Sequence, residues 1–538
     1  MKAAAVAQPM VVAAAVAATA ARRTAAAPEQ ARSPLGGSHS YVCHRARLDC
    51  LTDLKNRTER AMIASTPSET PISYSLPKER YLFRREDRFL FFDPVSFVWF
   101  QTDRLGKAVV DGLADAGDAE KAAEEVSRVA GAPVDAARVY TTKMLRHLVD
   151  IGFVHEGEYT PRKWHDGLVD HPLVMYIHLT ARCNLKCPYC YNQEHRKTIW
   201  KQPVGNRKQF FRLVDEAAEL GFREIKLTGG EVLLNPDTLA IARRAKTKGL
   251  RVNLLTNGTL MTRELAREIA ETVDAVSLSL DSPRPEEHDP VRGSGTHAKV
   301  LRAIDWLREA GLEYLHLNSV VTPVNKDSVE DFLTYAWDDL GAQKVTMAAS
   351  NIVVDDPEGQ RGARQYQLEP AEVRDVLERR QAWETEHWGG KPVRPSSLRR
   401  TQCGAANGVI SVDSDGKLYP CQTMHSPELA CGNVFETSLE EVLATSKLLQ
   451  RVKHLTADYL DECKTCAMRY LCAGGCRQEA YSREKRLDAR NRDLCSVFFR
   501  RSLEKLWSSA NLPATAVADT TGPDRASALD TETRVEMC

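Results

Sequence analysis

Three cysteines stand at Cys183, Cys187 and Cys190, in the spacing C-x3-C-x2-C, directly after the apolar run Val174–Leu179. The run predicts a buried strand that ends in a metal-binding loop. A four-iron, four-sulfur cluster usually has four cysteine ligands, so three thiolates would leave one iron open to another molecule. A zinc loop and chance thiols are the alternatives, but zinc prefers four ligands, commonly from paired C-x2-C units.

With Tyr189 as its aromatic residue, this loop resembles the C-x3-C-x-aromatic-C signature of the radical S-adenosylmethionine (SAM) enzymes. The resemblance implies that the open iron of a [4Fe-4S] cluster holds the amino and carboxylate groups of SAM. It also implies that an electron from the cluster cleaves SAM to a 5′-deoxyadenosyl radical, which removes a hydrogen atom from the substrate.

The size and charge of the chain limit the classes of partner. A chain of 538 residues suggests about three domains. Lys plus Arg equals Asp plus Glu, at 73 each, so charge favours neither a nucleic-acid nor a membrane partner. Of the fourteen cysteines, most have metal-ligand spacing and no export signal is well formed, which predicts a reducing, cytoplasmic location.

The Ala-rich start, up to about Gly37, has Arg22 and Arg23 after its apolar part, whereas a secretory signal has its positive charge before it. A disordered extension is the prediction, with a transit peptide or a later translation start as alternatives. No later stretch is apolar enough to span a bilayer.

From Tyr81, extended segments predict a hairpin over 88–94 and 95–100, and three segments of helical periodicity follow as far as Gly152. This β3α3, winged-helix-like order resembles the peptide-recognition (PqqD-like) module of ribosomal peptide pathways. The resemblance implies that a leader peptide adds a strand to the sheet edge and packs on the third helix. A DNA-binding winged helix and a structural cap are the alternatives, but the basic residues of the third helix do not continue into a wing.

Six further strands alternate with helices, and each strand starts at one of the residues Val174, Glu224, Arg251, Ala275, Tyr314 and Lys344. Alternation of this kind predicts parallel strands joined by right-handed crossovers. The family resemblance implies an α/β fold, an open (β/α)6 partial barrel, with its chemistry at the carboxyl ends of the strands.

The residues that the resemblance implies for SAM binding fall at those strand ends. They are Tyr189, the Gly229-Gly230-Glu231 motif, Thr256, Asn257, Ser279, Asp281 and Arg292, with Asn318 and Val320 as further candidates beside the adenosine. An ordinary Asn-Gly turn is the alternative for Asn257, and a solvated surface arginine is the alternative for Arg292. No motif names a catalytic acid or base.

A second cysteine array follows the strands, in the order Cys403, Cys421, Cys463, Cys466, Cys472, Cys476 and Cys495. With Tyr419-Pro420-Cys421 and Gly432-Asn433-Val434, it resembles the iron-sulfur (SPASM) extension of peptide-modifying radical SAM enzymes. The resemblance implies one auxiliary cluster on Cys463, Cys466, Cys472 and Cys495, and another on Cys403, Cys421 and Cys476. For the second cluster the usual fourth cysteine is missing, and Cys431 is either a substitute or a buried thiol.

These expectations divide the chain into an extension (1–72), a peptide-recognition module (73–165), a radical SAM core (166–395), a SPASM domain (396–508) and a tail (509–538). They predict an enzyme that oxidises a ribosomally made precursor peptide, by thioether or carbon-carbon crosslinking, with flavodoxin or ferredoxin as electron donor. The alternatives are maturation of a folded protein, as in sulfatase activation, peptide epimerisation, and a noncatalytic iron-sulfur carrier or peptide-binding scaffold.

Overall fold

A computed structural model describes residues 72–114, 117–164, 172–190, 204–349, 364–388 and 398–509. The predicted extension, except for residue 72, and the predicted tail, except for residue 509, lie outside these ranges, as do Cys43, Cys50 and Cys538. Within the described ranges, no helix combines the length and the apolar character needed to cross a membrane.

The first described elements form a three-stranded antiparallel sheet with three helices after it. After the short strand β1 (Tyr74–Ser75), the sheet has the order β2 (Tyr81–Arg85), β3 (Arg88–Asp93) and β4 (Val98–Thr102). Helices α1 (Arg104–Leu113), α2 (Ala119–Ala130) and α3 (Val134–Asp150) follow, and β5 (His155–Glu156) pairs with β1. The sequence thus predicted the hairpin and the three helices, although residues 94–97 form its turn and the predicted segments 88–94 and 95–100 left no residue between them.

Both faces of this small sheet are buried, because its strands carry apolar residues in both directions. Phe91 and Phe100 stack with ring centroids 5.2 Å apart, on the face that packs against α1 to α3. The opposite face, with Leu90, Phe92 and Trp99, packs against Met468, Leu471 and Leu506 near the end of the described chain. The sequence did not predict that second contact.

The main sheet contains six parallel strands in chain order: β6 (Val174–His178), β7 (Glu224–Thr228), β8 (Arg251–Thr256), β9 (Ala275–Ser279), β10 (Leu315–Val321) and β11 (Lys344–Ala349). Two strands from the second cysteine region extend it: β12 (Val409–Val412) pairs parallel to β6, and β13 (Leu418–Tyr419) pairs antiparallel to β12. No pairing joins β11 to this other edge among the described residues, so the sheet stays open.

Helices connect the parallel strands: α4 (Arg207–Glu219), α5 (Thr238–Thr247), α6 (Arg263–Thr272), α7 (Pro285–Arg292), α8 (Thr296–Glu309) and α9 (Val329–Thr334). Helix α10 (Pro370–Trp388) packs on α9. Apolar strand residues such as Ile177, Leu227 and Leu254 join the core with these helices. The alternate residues of the same strands are polar, for example Lys226, Asn253 and His316, so the opposite face of the sheet is polar.

Five helices lie in the second cysteine region: α11 (Leu439–Thr445), α12 (Lys447–Lys453), α13 (Arg469–Cys472), α14 (Arg477–Glu484) and α15 (Arg492–Ser508). Side-chain caps from Ser438, Ser446 and Asn491 begin α11, α12 and α15. The short elements leave the intervening backbone in loops, which carry most of the cysteines.

Candidate active site

The cysteine loop begins where β6 ends and rests against the end of β7. Gly230 N donates to Thr180 O at 2.7 Å, and Glu231 N donates to Arg182 O at 2.7 Å. These bonds fix the first residues of the loop to the predicted Gly-Gly-Glu motif.

The two glycines of this motif allow that close approach of backbones. A Cβ atom on Gly229 would lie 2.5 Å from Thr180 O, and one on Gly230 would lie 2.2 Å from Arg182 O. The resemblance implied that these glycines allow SAM to approach the backbone. The structure gives them a second reason, since any side chain would push β7 away from the cysteine loop.

Glu231 joins three neighbouring parts of the site. Its buried carboxylate accepts from Thr256 Oγ1 at 2.5 Å, from Asn257 N at 2.8 Å and from Leu233 N at 3.1 Å. Burial raises the pKa of Glu231, and these three bonds oppose the rise. The carboxylate is therefore engaged by the protein and positions the end of β8.

Asn257 extends this network to the first cysteine. Its Nδ2 donates to Asn184 Oδ1 at 2.9 Å and lies 3.9 Å from Cys183 Sγ. Leu185 N also lies within hydrogen-bonding distance of Cys183 Sγ, at 3.4 Å. Hydrogen-bond donors to a cysteine sulfur tune the reduction potential of an iron-sulfur cluster. The contacts of Asn257 therefore go beyond those of an ordinary Asn-Gly turn.

Asp281 is the centre of a second buried network, just beyond β9. Its carboxylate accepts from Arg292 Nε and a terminal Arg292 nitrogen at 2.6 and 2.9 Å, from Tyr189 Oη at 2.5 Å and from Val320 N at 2.9 Å. Burial would raise the pKa of Asp281, but the Arg292 guanidinium outweighs it and holds the pKa below its usual range.

This pairing shows that Arg292 is not the solvated surface arginine considered as the alternative. The side chain is buried rather than solvated, because α7 turns back from β9 and carries Arg292 to Asp281. Both of its hydrogen bonds described here go to that carboxylate. The guanidinium also lies 5.6 Å from the ring centroid of Tyr189.

The sequence missed two supports of Asp281. Asn325 Nδ2 donates to the Asp281 carbonyl at 2.7 Å, and Asp281 N lies 3.2 Å from His288 Nδ1. Burial lowers the pKa of His288 to about 4, so this imidazole is neutral at pH 7 and its Nδ1 can accept the bond. Neither residue belongs to a readable motif, and only the fold brings them to Asp281.

Ser279 and Asn318 are neighbours across β9 and β10, on the polar face of the sheet. One layer below, Ser277 Oγ bridges Asn253 Oδ1 at 3.0 Å and His316 Nδ1 at 2.9 Å, and His316 Nε2 lies 2.8 Å from Thr346 Oγ1. Burial lowers the pKa of His316 to about 3, with Lys344 and Lys226 adding to the effect. The polar face thus carries a layer of uncharged, hydrogen-bonded side chains below the predicted SAM residues.

The three cysteines of the loop are close enough to influence one another's ionisation. The pKa of Cys187 is raised to about 11, mainly by burial. Nearby Cys190, Asp281 and Cys183 contribute to the rise, and Arg292 opposes it. Clustered thiols of this kind fit a polynuclear iron centre, whose cations stabilise the thiolates. Cys183, Cys187 and Cys190 would then hold the cluster, with Asn257 and Tyr189 beside it.

Electrostatic effects among the later cysteines fall into two sets, with the same members as the two groups that the family resemblance implies. Burial raises the pKa of Cys472 to about 11, and Cys463, Cys495 and Cys466 contribute to the rise. Burial likewise raises the pKa of Cys476, where two other thiols contribute, Cys403 and Cys421. The first group provides four thiolates and the second three, as two auxiliary clusters would require.

Cys431 shows no such coupling. Burial raises its pKa to about 12, and its Sγ lies 3.6 Å from Leu429 O. The interactions described for it thus match the buried-thiol alternative. At Cys421, the neighbouring side chain Gln422 places Oε1 3.0 Å from the sulfur.

One buried cation lies beside both auxiliary groups. Arg477 directly follows Cys476 and is fully buried. Burial raises the pKa of Cys403 and of Cys463, and the Arg477 guanidinium opposes the rise at both. Arg477 donates to Leu487 O at 3.0 Å and to Ala489 O at 2.9 Å. By contrast, Arg490 is partly exposed and opposes the rise that burial causes at Cys463 and Cys466, both in one group.

We expect Arg477→Met to make the reduction potentials of both auxiliary clusters more negative, by on the order of tens of millivolts, because a buried positive charge stabilises the added electron. Arg490→Met should shift one cluster only, and by less, since solvent screens its charge. Potentiometric titration followed by electron paramagnetic resonance measures both. Unchanged potentials in Arg477→Met would contradict the placement of this cation.

Two family models match the chain at these sites. The model of the radical SAM superfamily matches residues 177–336, and that of the SPASM iron-sulfur cluster-binding domain matches residues 403–467. The first range contains the cysteine loop and both buried networks.

Curated relatives agree with these matches. The chain is 27% identical to the AdoMet-dependent heme synthase of Methanosarcina barkeri over 59% of this chain and 94% of the relative. It is 28% identical to the PqqA peptide cyclase of Streptomyces rochei (59% and 87%), and 30% identical to a probable GTP 3′,8-cyclase of Methanosarcina mazei (46% and 77%).

Among solved structures, SuiB of Streptococcus suis bound to its precursor peptide SuiA is similar in fold. The TM-score is 0.51 at 14% identity, and the match covers 78% of this chain and 99% of SuiB.

The chain therefore belongs to the radical SAM superfamily and is a radical SAM enzyme. Within that superfamily it carries the SPASM iron-sulfur domain, so its cofactors are SAM, a [4Fe-4S] cluster and auxiliary iron-sulfur clusters.

Proposed function

We propose that this enzyme modifies a ribosomally made precursor peptide by a two-electron oxidation that forms a thioether or a carbon-carbon crosslink. The observation that carries the proposal is the combination of a radical SAM cysteine loop, two auxiliary cysteine groups and a separate three-stranded N-terminal sheet. Relatives named for peptide cyclisation support it.

When bound, SAM and its cluster supply a radical that removes hydrogen from an unactivated C–H bond. The protein contributes position. Gly229 and Gly230 hold the cysteine loop to β7, while Thr256, Asn257 and Glu231 hold β8 beside Cys183. Next to Cys187, the Asp281 carboxylate is hydrogen-bonded to Tyr189 and Arg292, which fixes these side chains. Ser279 lies at the same end of the sheet.

The segments take separate roles in this proposal. Residues 73–165 recognise the peptide, 166–395 initiate the reaction, and 396–508 accept the second electron, with flavodoxin or ferredoxin supplying the first. The proposed location is the cytoplasm.

Peptide recognition is assigned to the edge of β4 and the adjoining side of α3. Strand β4 pairs with β3 and forms one edge of the three-stranded sheet. Its side chains Trp99 and Gln101 also donate to the backbone of Ser509 and Trp507. Beside this edge, a Cβ atom on Gly106 would lie 2.9 Å from Thr102 Cβ and 3.0 Å from Met144 Cε, so α3 packs closely against the end of β4. A peptide could therefore add a strand to β4 and contact Met144.

Met144→Glu should weaken peptide binding at least about tenfold, or about 1.4 kcal/mol, because it places a charge beside the docked strand. Val139→Glu is the matched control, since Val139 is 40% exposed and lies on the opposite side of the same helix. Fluorescence anisotropy with a labelled leader measures both variants. Equal losses in the two would show that this edge is not the binding site, and SAM cleavage without peptide should stay unchanged.

Point variants are preferable to removing the module. Deletion of residues 81–157 would expose Met468, Leu471 and Leu506, which the small sheet covers. It would also remove Tyr81, whose Oη donates to Thr465 O at 2.9 Å. Thr465 lies between Cys463 and Cys466 of one auxiliary group. Loss of activity in such a deletion would not separate recognition from instability.

The function is tested by coexpressing the full chain with each short open reading frame beside its gene and weighing the peptide. Loss of two hydrogens supports crosslinking. Unchanged mass with deuterium taken up from solvent would show epimerisation, and modification of a folded protein without a leader would show a sulfatase-type maturase.

A second candidate is a step of heme synthesis on a porphyrin, because an AdoMet-dependent heme synthase is among the relatives. It predicts SAM cleavage that depends on the porphyrin and not on a peptide.

A further inference from the structure

Three buried side chains meet where the first strand of the main sheet adjoins β12, away from the cysteine groups. They are His178 at the end of β6, Asp413 just after β12, and His425. One ligand atom from each, two imidazole nitrogens and a carboxylate oxygen, lies within 4.8 Å of the others.

The imidazole of His425 is held on all sides. Its Nδ1 lies 3.1 Å from Asp413 Oδ2, and its Nε2 lies 2.8 Å from Ser411 Oγ. Its ring stacks on Tyr419 and contacts the ring of His178, each with centroids 4.4 Å apart. The ring therefore has one orientation, fixed by residues of β12, β13 and β6.

The two carboxylate oxygens of Asp413 have different neighbours. Ser414 N donates to Oδ1 at 2.6 Å. Oδ2 faces His425 Nδ1, and that imidazole is a cation only when it is protonated. A cation beside a buried carboxylate offsets the cost of burying its charge.

Two imidazoles and one carboxylate form a donor set that proteins use for zinc and iron(II). With bonds of about 2.0 Å, two ligands of a tetrahedral zinc lie about 3.3 Å apart, close to the 3.1 Å between His425 Nδ1 and Asp413 Oδ2. If Ser411 Oγ accepts from Nε2–H, Nδ1 is the nitrogen that would bind the ion beside Asp413 Oδ2. Metal-bound histidines commonly make such a bond through their other nitrogen.

We propose that His178, Asp413 and His425 bind a divalent metal ion of the zinc class, which ties the first strand of the radical SAM sheet to the SPASM strands β12 and β13. The ion would be structural, because all three side chains are buried. The site contains no sulfur and is distinct from the three cysteine groups, and the proposal does not depend on the identity of the substrate.

The test uses the full chain with its iron-sulfur clusters reconstituted, equilibrated with Zn²⁺ and then desalted. We expect one tightly held zinc per chain. Its X-ray absorption fine structure should show nitrogen and oxygen at about 2.0–2.1 Å, whereas zinc in a vacant cysteine site would show sulfur at about 2.3 Å.

His178→Gln and Asp413→Asn should each lose this zinc while keeping the iron content. His297→Gln is the control, since His297 is also buried but packs against His288 elsewhere in the fold. If a variant fails to fold, the ligand shell of the wild-type zinc still decides.

Two results would overturn the proposal. One is a wild-type protein that retains no zinc after desalting, which would leave a protonated His425 as the partner of Asp413. The other is zinc with a sulfur shell, or zinc that both variants retain.

Discussion

Replacing Asp281 by Asn should destabilise the fold by about 3–5 kcal/mol, because the buried Arg292 guanidinium would lose its counter-charge. The amide would also fail to match the donors of Tyr189 and Val320 that now reach the carboxylate. Since the same network lies beside Cys187, the variant should also bind SAM poorly. Urea unfolding of the folded, cluster-loaded protein measures the first effect and equilibrium dialysis with SAM the second.

Glu268→Gln is the control for this substitution. Its carboxylate pairs with Arg243 at 3.2 Å, but both side chains are 55% exposed. Such a pair contributes about 0.2–1 kcal/mol. If Asp281→Asn lowered the free energy of unfolding by a similarly small amount, Asp281 and Arg292 would not form a buried ion pair.

Asp281 also predicts a direction for the pH dependence of stability. Its pKa in the folded protein lies below that of an unfolded Asp, about 3.9, so the contribution is fully present above that value. It is lost as the pH falls through the lower, folded-state pKa. The free energy of unfolding of the wild type should therefore fall faster below about pH 4 than that of Asp281→Asn.

Gly230→Ala should cost about 3 kcal/mol, the upper end of the range for overpacking, because the new Cβ would meet backbone atoms that have little room to move. That Cβ would lie 2.2 Å from Arg182 O and 2.7 Å from Ala181 O. Relief requires the cysteine loop to separate from β7, so the iron content of the SAM cluster should fall as well. Urea unfolding and iron analysis follow the two effects.

The matched control is Gly408→Ala, where the nearest atom to the added Cβ is Gly404 O at 3.7 Å. We expect this variant to remain within about 0.5 kcal/mol of the wild type. If Gly230→Ala were equally mild, the close contact between the glycine motif and the cysteine loop would be wrong.

The strands could be predicted from the sequence because parallel strands are apolar on the face that packs against helices, and apolar runs such as Val174–Leu179 are easily recognised. The predicted start of each parallel strand lies within one residue of the observed one. The grouping of the later cysteines is what the family resemblance implies, because spacing alone does not say which cysteines share a cluster.

Contacts between distant segments could not be predicted in this way. Arg292 was a candidate for SAM binding with a solvated surface position as the alternative, because nothing in the sequence shows that α7 turns it back to Asp281. Strands β12 and β13 have four and two residues, too few for a periodic pattern, so their addition to β6 was missed. The site of His178, Asp413 and His425 depends on that addition and was therefore invisible as well.

The central claim is that SAM cleavage by this chain is coupled to oxidation of a peptide. The most direct measurement incubates the anaerobically reconstituted protein with SAM, a reductant and the candidate precursor peptide, and counts 5′-deoxyadenosine and modified peptide in the same sample. We predict one 5′-deoxyadenosine for each peptide that loses two hydrogens. Peptide-independent formation of 5′-deoxyadenosine, with every candidate peptide unchanged in mass, would contradict the account.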